Sequence, residues 1–548
     1  MKAIKNIFFA LALMAGTVAF AQNSKLDTLE FSAVSKYQPV ITDALKMNDN
    51  PKIADTIKAK RKADYNNFIN NQYSTTYIPD AIDAIRMKGE PLDKLYRSYL
   101  NAGVGNYNTL YGEYFFNSLR SRDYDYGIHL NHLSSDATLS NEGYSGYAYN
   151  DINLYGDAYF KHHILYAQFD YDNHIVHDYG YDIKQDVLAN NNVTRQNFNS
   201  IGGLVDFKSD YKDSATSISH DINVGYNNFS DAFSSVENNL DIKVHAFTYY
   251  AKQRIDVKLS ANYYDDKSRL QDTLKTINLG FNPYFTAIEK HWDARLGLKV
   301  YYDAQNGVNA FPDFIGRVHF ADDAIMIYLG VDGDKTFNGY KSLAAINPFI
   351  QDTVNMQYTI TTIHVFGGVT GTISPKLQYN LSGYESMIKG MPLFVTDTLE
   401  TLKNRFAVVY DKVSVTSAHA DLSYLVKDNI KFTLSGDYYQ YKPTDQLKAW
   451  YHPDLQISLL GQYIYQKLTF KAMFYYLGEQ FAPISVGGKE VAKQINGYPD
   501  LNLGCDYHYN RFFTAFASLN NLANVSYQRW LNYPTQGFNA LIGVRLAF

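Results

Sequence analysis

The chain ends on "GFNALIGVRLAF" (537–548), where apolar side chains fall on every second position. Phe538, Ala540, Ile542, Val544, Leu546 and Phe548 alternate with Asn539, Leu541, Gly543, Arg545 and Ala547. Successive side chains of an extended chain point to opposite faces, so a period of two describes a strand with one apolar face. The same period recurs upstream. In "RIDVKLSANYY" (254–264) Ile255, Val257, Leu259, Ala261 and Tyr263 share one face and Arg254, Asp256, Lys258, Ser260 and Asn262 the other. "WDARLGLKVYY" (292–302) and "KLTFKAMFYY" (467–476) separate their charges in the same way.

A soluble stack of sheets carries such patterns too. Three features favour a transmembrane antiparallel up-and-down β-barrel: strands of ten or more residues, charges held to one face, and short turns alternating with long loops. The short turns are 118–123, 161–163, 251–254, 321–324, 374–376, 427–429 and 509–511, and the long connections lie near 176–196, 334–360, 390–412 and 481–497. Counting back from the last strand to 96–104 gives about twenty-two strands. The count is even, as a single-chain bacterial barrel requires for both ends to lie on the short-turn side. Its least regular point is the first hairpin, "YLNAGVGNYNTLYGEYFF" (99–116), which splits at Gly103-Val104-Gly105-Asn106. Closure satisfies every backbone N–H and C=O that hydrocarbon would strand, and it pairs 538–548 with 96–104. A barrel of this size encloses a wide bore that something must plug or gate.

The other end of the chain agrees with a membrane address. Lys2 and Lys5 precede the apolar run "IFFALALMAGTVAF" and the small-residue pattern Ala19-Phe20-Ala21, which reads as a secretory signal peptide (1–21) cleaved before Gln22. No later stretch approaches the ~18 apolar residues of a spanning helix. The single cysteine, Cys505, offers neither a lipid anchor at a new N-terminus nor a disulfide. Aromatic residues make up 16% of the chain, with 49 Tyr and 33 Phe against 3 Trp, which suits side chains with an apolar body and a wet tip at bilayer interfaces. A formal charge of −5 leaves no general basic surface, so nucleic acid is not an expected partner.

The closing stretch "SLNNLANVSYQRWLNYPTQGFNALIGVRLAF" (518–548) resembles the last two strands of TonB-dependent outer-membrane receptors. The matching residues are Asn520, Asn521, Leu522, Tyr527, Tyr533, Pro534, Gly537 and Phe548. The resemblance implies a Gram-negative-type outer membrane and a transport role. It also implies recognition of the alternating ending, Ile542, Val544, Leu546 and Phe548, by the barrel-assembly machinery during biogenesis. That family carries a Gly-rich plug before its barrel. Here residues 22–95 are short, Lys- and Asn-rich, with Pro39, Pro51, Pro79 and Pro91 and a helix expected around 53–68, so they read as an extended periplasmic segment without a plug. Within it "LDTLEFSAV" (26–34) resembles the family's TonB-recruiting strand, making Asp27, Thr28, Leu29, Glu30 and Phe31 candidate partner contacts; an ordinary leader after signal cleavage is the competing reading.

Chemistry is sparse. "DYDNHIVHDYGYD" (170–182) concentrates His174, His177 and Asp178 with Asp170 and Asp172, so it is either a divalent-metal site or a solvated outer loop. His162-His163 reads as a polar pair at an interface. No G-x-S-x-G elbow, H-E-x-x-H pair or recognisable triad is present, and "SVGGKE" (485–490) is a loop tip without the spacing of a P-loop, so neither an enzyme nor a cofactor is expected. The aromatic loops "DYGYD", "NEGYSGYAYND" and "SYQRWLNYP" suit stacking on a glycan or peptide, or an upper bilayer interface. The expected role is therefore the membrane subunit of a transport or outer-membrane assembly complex, with periplasmic or surface protein partners. A free-standing large pore and a structural scaffold are the alternatives. On the closing strand, a charge at Ile542 is expected to impair assembly and one at the lumenal Gly543 to be milder.

Overall fold

The computed structural model describes residues 95–548, apart from 120, 140, 187–190, 211–217, 268–272, 322–323 and 398–400. Twenty-two strands form one antiparallel sheet closed on itself. They are β1 (Ser98–Gly105), β2 (Thr109–Asn117), β3 (Tyr124–Ser135), β4 (Tyr147–Tyr159), β5 (His163–His177), β6 (Arg195–Ser209), β7 (Ser219–Ser230) and β8 (Val236–Tyr250). Next come β9 (Gln253–Lys267), β10 (Leu274–Ile288), β11 (Trp292–Asp303), β12 (Gly307–Phe320), β13 (Ile325–Phe337), β14 (Tyr358–Ser374) and β15 (Leu377–Thr396). The remainder are β16 (Phe406–Lys427), β17 (Ile430–Pro443), β18 (Leu455–Tyr465), β19 (Leu468–Leu477), β20 (Tyr498–His508), β21 (Phe513–Asn520) and β22 (Asn539–Ala547). Among the described residues one α-helix, α1 (Tyr340–Ile346), a 3-10 turn at Asn191–Thr194 and two small hairpins at 480–495 and 528–534 sit outside the wall.

The expected closure holds: β22 pairs with β1 from Tyr99↔Ala547 to Gly105↔Leu541. The first hairpin turns at Asn106, Tyr107 and Asn108, with Tyr107 and Asn108 at φ 55° and 51°, two residues beyond the expected split. Two expectations about the loops need correction. The connection expected over 390–412 shrinks to 397–405, because β15 and β16 run on past the membrane, and some outer turns are as short as 106–108 and 304–306. The glycine-rich tip of "SVGGKE" turns the 480–495 hairpin, with Gly487 and Gly488 at φ 60° and 78°. The expected signal peptide, the expected lack of a plug in 22–95, the expected 53–68 helix and Asp27 to Phe31 lie outside the described residues.

The wall has no core in the soluble sense. Ile255, Leu259 and Tyr263 of β9, Leu296 and Leu298 of β11, and Ile542 of β22 are exposed on the outer face, where lipid takes the place of a protein neighbour. The inner face is polar, and its charges are matched across strands. Arg254 and His245 both reach Asp256 at 2.7 Å, Arg295 meets Asp313 at 2.8 Å, and Arg317 meets Asp293 at 2.7 Å. At the seam Asp506 holds Arg545 at 2.7 Å and Lys471 at 2.9 Å, so the inward charge of the last strand ties β22 to β19 and β20. Each pair offsets the cost of keeping an ion against a low-dielectric wall.

Crowding at Gly543 argues against the expectation of a milder effect there. Gly543 faces Gly103 across the seam with the Phe516 ring laid over the two glycines, and a Cβ on Gly543 would run into the Ala102 carbonyl and that ring. Lumenal position is no protection where the backbone approach leaves room for a hydrogen alone.

Candidate functional site

Among the described residues the large apolar core lies at the outer mouth of the barrel, where six long connections (178–194, 338–357, 397–405, 444–454, 478–497 and 521–538) come together. Trp450, Leu343 and Leu393 are fully buried there, and Phe406, Ile350 and Tyr533 nearly so. Phe406 packs against Trp530 at 5.5 Å and Tyr451 at 5.7 Å, while Tyr533 stacks on Phe349 at 3.9 Å and meets Tyr179 edge-on at 4.8 Å. These rings come from connections spread round the rim. Loops without regular structure are ordered here because each aromatic finds neighbours on other loops, worth more than its own backbone provides.

The helix α1 is seven residues long and too short to be stable alone. It is held by Tyr340, which lies against Phe198 and Phe229 on the inward faces of β6 and β7 and donates its hydroxyl to Asp231 at 2.8 Å. The Lys341 ammonium reaches Ser200 at 2.9 Å, and the Lys341 amide donates to Glu237 at 3.1 Å. A segment that leaves the wall between β13 and β14 is thus fastened to the inside of β6, β7 and β8.

One contact spans the mouth. Asp178 follows β5 and Arg405 precedes β16, so ten of the twenty-two strands separate their loops. Arg405 nevertheless donates from Nε to the Asp178 carboxylate at 2.8 Å, and both side chains are buried. The guanidinium also lies over the Phe233 ring at 4.1 Å from its centre. The Tyr533 hydroxyl donates to the Asn404 carbonyl, and the Tyr179 hydroxyl donates to the Pro534 carbonyl at 3.0 Å, which brings in the loop before β22. Burial pushes the Tyr533 and Tyr179 phenols far above their ordinary values, so both stay neutral donors. His452, beside Trp450, donates from Nδ1 to the Trp450 carbonyl at 2.8 Å, yet burial still lowers its pKa from the ordinary value.

The residues singled out as a metal site are dispersed by this arrangement. His174 faces the bore and meets Asp151 at 2.8 Å, His177 bonds the Gly146 carbonyl at 2.6 Å, and Asp178 goes to Arg405. Asp170 accepts from Gln168 at 2.8 Å and from Asn153. Among the described residues no three His, Cys, Asp or Glu side chains are placed to share an ion. The competing picture of a solvated loop fails as well, since His177 and Asp178 are buried. Two of the three aromatic loops are taken up by the roof: Trp530 and Tyr533 are core residues and Tyr179 packs against them, whereas Tyr144 of "NEGYSGYAYND" stands at the rim outside that core. Sequence reasoning missed Asn404, Arg405, Trp450 and Phe349. The available signal was the isolated apolar clusters "AWY" (449–451) and "RWL" (529–531) inside otherwise polar loops.

No protein-family model matches the chain, and no curated protein matches it in sequence. Solved structures do match in shape. The siderophore receptor PirA from Acinetobacter baumannii superposes with a TM-score of 0.65 at 10% identity, covering 84% of this chain and 81% of that one. The F3-3 variant of the FrpB iron transporter from Neisseria meningitidis gives 0.65 at 11% identity, with 83% and 82% covered. The copper transporter OprC gives 0.60 at 14%, with 84% and 82% covered. The fold is that of a TonB-dependent outer-membrane receptor barrel. Within this receptor-like barrel the turn that carried the resemblance is built around Asn521, which adopts φ 49° and bonds both ways with Val525, donating to its carbonyl at 2.8 Å and accepting its amide at 3.0 Å.

Proposed function

We propose that the chain is the membrane subunit of a transport or outer-membrane assembly complex, its bore closed from outside by its own loops and opened by a partner. The observation that supports this most is the Asp178–Arg405 bond, buried and made across nearly half the circumference. A free-standing pore has no use for loops locked over its mouth, and a scaffold has no use for so wide a polar bore. The solved neighbours act as siderophore, iron and copper carriers, which favours transport over catalysis here. Export through a cleaved leader and insertion by the barrel-assembly machinery belong to the same reading.

Affinity isolation from mildly solubilised outer membrane tests it. A periplasmic or surface protein should accompany the barrel in stoichiometric amount, and emergence alone would sink the complex. In planar bilayers the purified full chain should be silent, whereas large steady conductance from the unaltered protein would favour the simple pore.

A further inference from the structure

At the rim, beside the roof's core, against which Tyr147 packs, a cavity of about 210 Å³ is lined by Asn108, Ser134, Asp136, Tyr144, Tyr147 and His177 among others. Its strand-borne lining includes Ser134, Ala148 and Ile175, which belong to the row of β3, β4 and β5 that faces outward. Lower on that face lies a row of polar groups. His132 bonds Asn150 at 2.7 Å, Asn150 bonds Asn173 at 3.3 Å, and Asn173 bonds Asn199 at 2.7 Å. Below these come Leu130, Ile152 and Ile201, all exposed to lipid. Ser135 and Tyr147, of the inward row, complete the strand-borne lining, so the cavity sits at the upper edge of the wall, just above the apolar band.

The polar valences left in the cavity are mostly acceptors. The Nδ1 of His177, a residue that is 7% exposed, is spent as a donor on the Gly146 carbonyl, which leaves its Nε2 an acceptor in neutral imidazole. His132 bonds Asn150 through Nδ1 and Ser134 through Nε2; in the tautomer that donates from Nδ1, the Ser134 hydroxyl donates to Nε2 and its oxygen keeps lone pairs for a ligand. One oxygen of Asp136 accepts from Tyr144 at 2.6 Å and the other remains. Asn108 adds an amide, and the Tyr144 ring, set edge-on to His177 at 4.7 Å, adds an apolar face. A ligand must bring several donors at separated positions together with a C–H face. The volume is that of about seven water molecules in the liquid, room for one six-membered ring.

We propose that this rim cavity binds a single neutral sugar ring, free or as a unit of a surface glycolipid, its hydroxyls donating to Asp136, Ser134 and His177 and its C–H face on Tyr144. An ammonium group would use the one carboxylate and the ring but leave the Ser134 and His177 acceptors unmet. A phosphate would be repelled by Asp136 and would find no cation in the lining.

The test uses the full barrel in an amine-oxide detergent, since glucoside and maltoside detergents are themselves sugars. Saturation-transfer NMR against methyl glycosides of glucose, galactose, mannose and N-acetylglucosamine should show transfer to at least one of them. Asp136→Ala should weaken that binding about tenfold, and Ala148→Phe, which fills the cavity from its strand, should abolish it; heat-modified mobility should show both variants folded. Lipopolysaccharide that stays with the unaltered barrel and leaves Ala148→Phe would identify the sugar as a lipid head group, and transfer to soluble glycosides alone would identify a free sugar. Transfer to no sugar, transfer unchanged in both variants, or competition by choline in place of sugars would overturn the proposal.

Discussion

The barrel wall and the roof over its outer mouth are built by opposite means. In the wall each residue's environment follows from its parity: Ile542, Val544 and Leu546 face lipid because Gly543 and Arg545 face the bore. In the roof neighbours in sequence have no fixed relation, and Asn404, Arg405 and Phe406 bond three different connections. The wall is held by backbone ladders that no side chain can replace, while the roof is held by a few aromatic contacts and one buried ion pair. The wall should thus fail as a whole and the roof by parts.

The sharpest way to break the comparison is at the seam. Gly543→Val should abolish closure, because the Phe516 ring and Ala102 carbonyl cannot both retreat, and the protein should be lost from the outer membrane. Ile542→Asp puts a carboxylate into lipid, at a cost below the roughly 2–4 kcal/mol of a Lys or Arg at the bilayer midplane, and should reduce membrane levels. Normal levels of either variant, read by immunoblot of membrane fractions, would contradict the facing assigned to β22.

In the roof, Arg405→Ala leaves Asp178 buried without its cation, at a local cost of about 3–5 kcal/mol. Barrel levels and heat-modified mobility should be unchanged, but bilayer conductance should appear and protease should cut the 397–405 connection. Trp450→Ala should loosen the roof by about 3–5 kcal/mol with the same signature. If either variant lowers barrel assembly as much as Ile542→Asp does, roof and wall are not separable.

A smaller effect concerns pH. His452 has its pKa lowered by burial, so the folded roof prefers the neutral ring. Its contribution is intact above the ordinary His value of about 6.5 and declines as pH falls below it. Conductance of the unaltered barrel should rise on acidification below that value, and His452→Gln should flatten the response. The smallest effect belongs to the outer face, where Lys275 and Asp265 pair at 3.6 Å with Lys275 well exposed. Lys275→Ala should change stability by about 0–1 kcal/mol, measured as the midpoint of thermal unfolding in detergent.

The difference in construction also explains what could be read in advance. Each of the twenty-two strands expected from alternation has its counterpart, including the fragile split after Gly103, and the closing pair was named from its pattern. The same reading placed Gly543 on the correct face but missed its crowding, which comes from Phe516, a residue on the next strand. His174, His177 and Asp178 stood out because they are adjacent in the chain, yet their partners are Asp151, Gly146 and Arg405. The last of these lies 227 residues away.

By itself the sequence determined the barrel, its strand count, its facing and its membrane address, because a wall one residue thick between lipid and water writes its constraint into every second position. The roof was decided only in the tertiary structure. Its side chains answer to loops that closure of the barrel brings together from opposite sides, and no local period records which of them will meet.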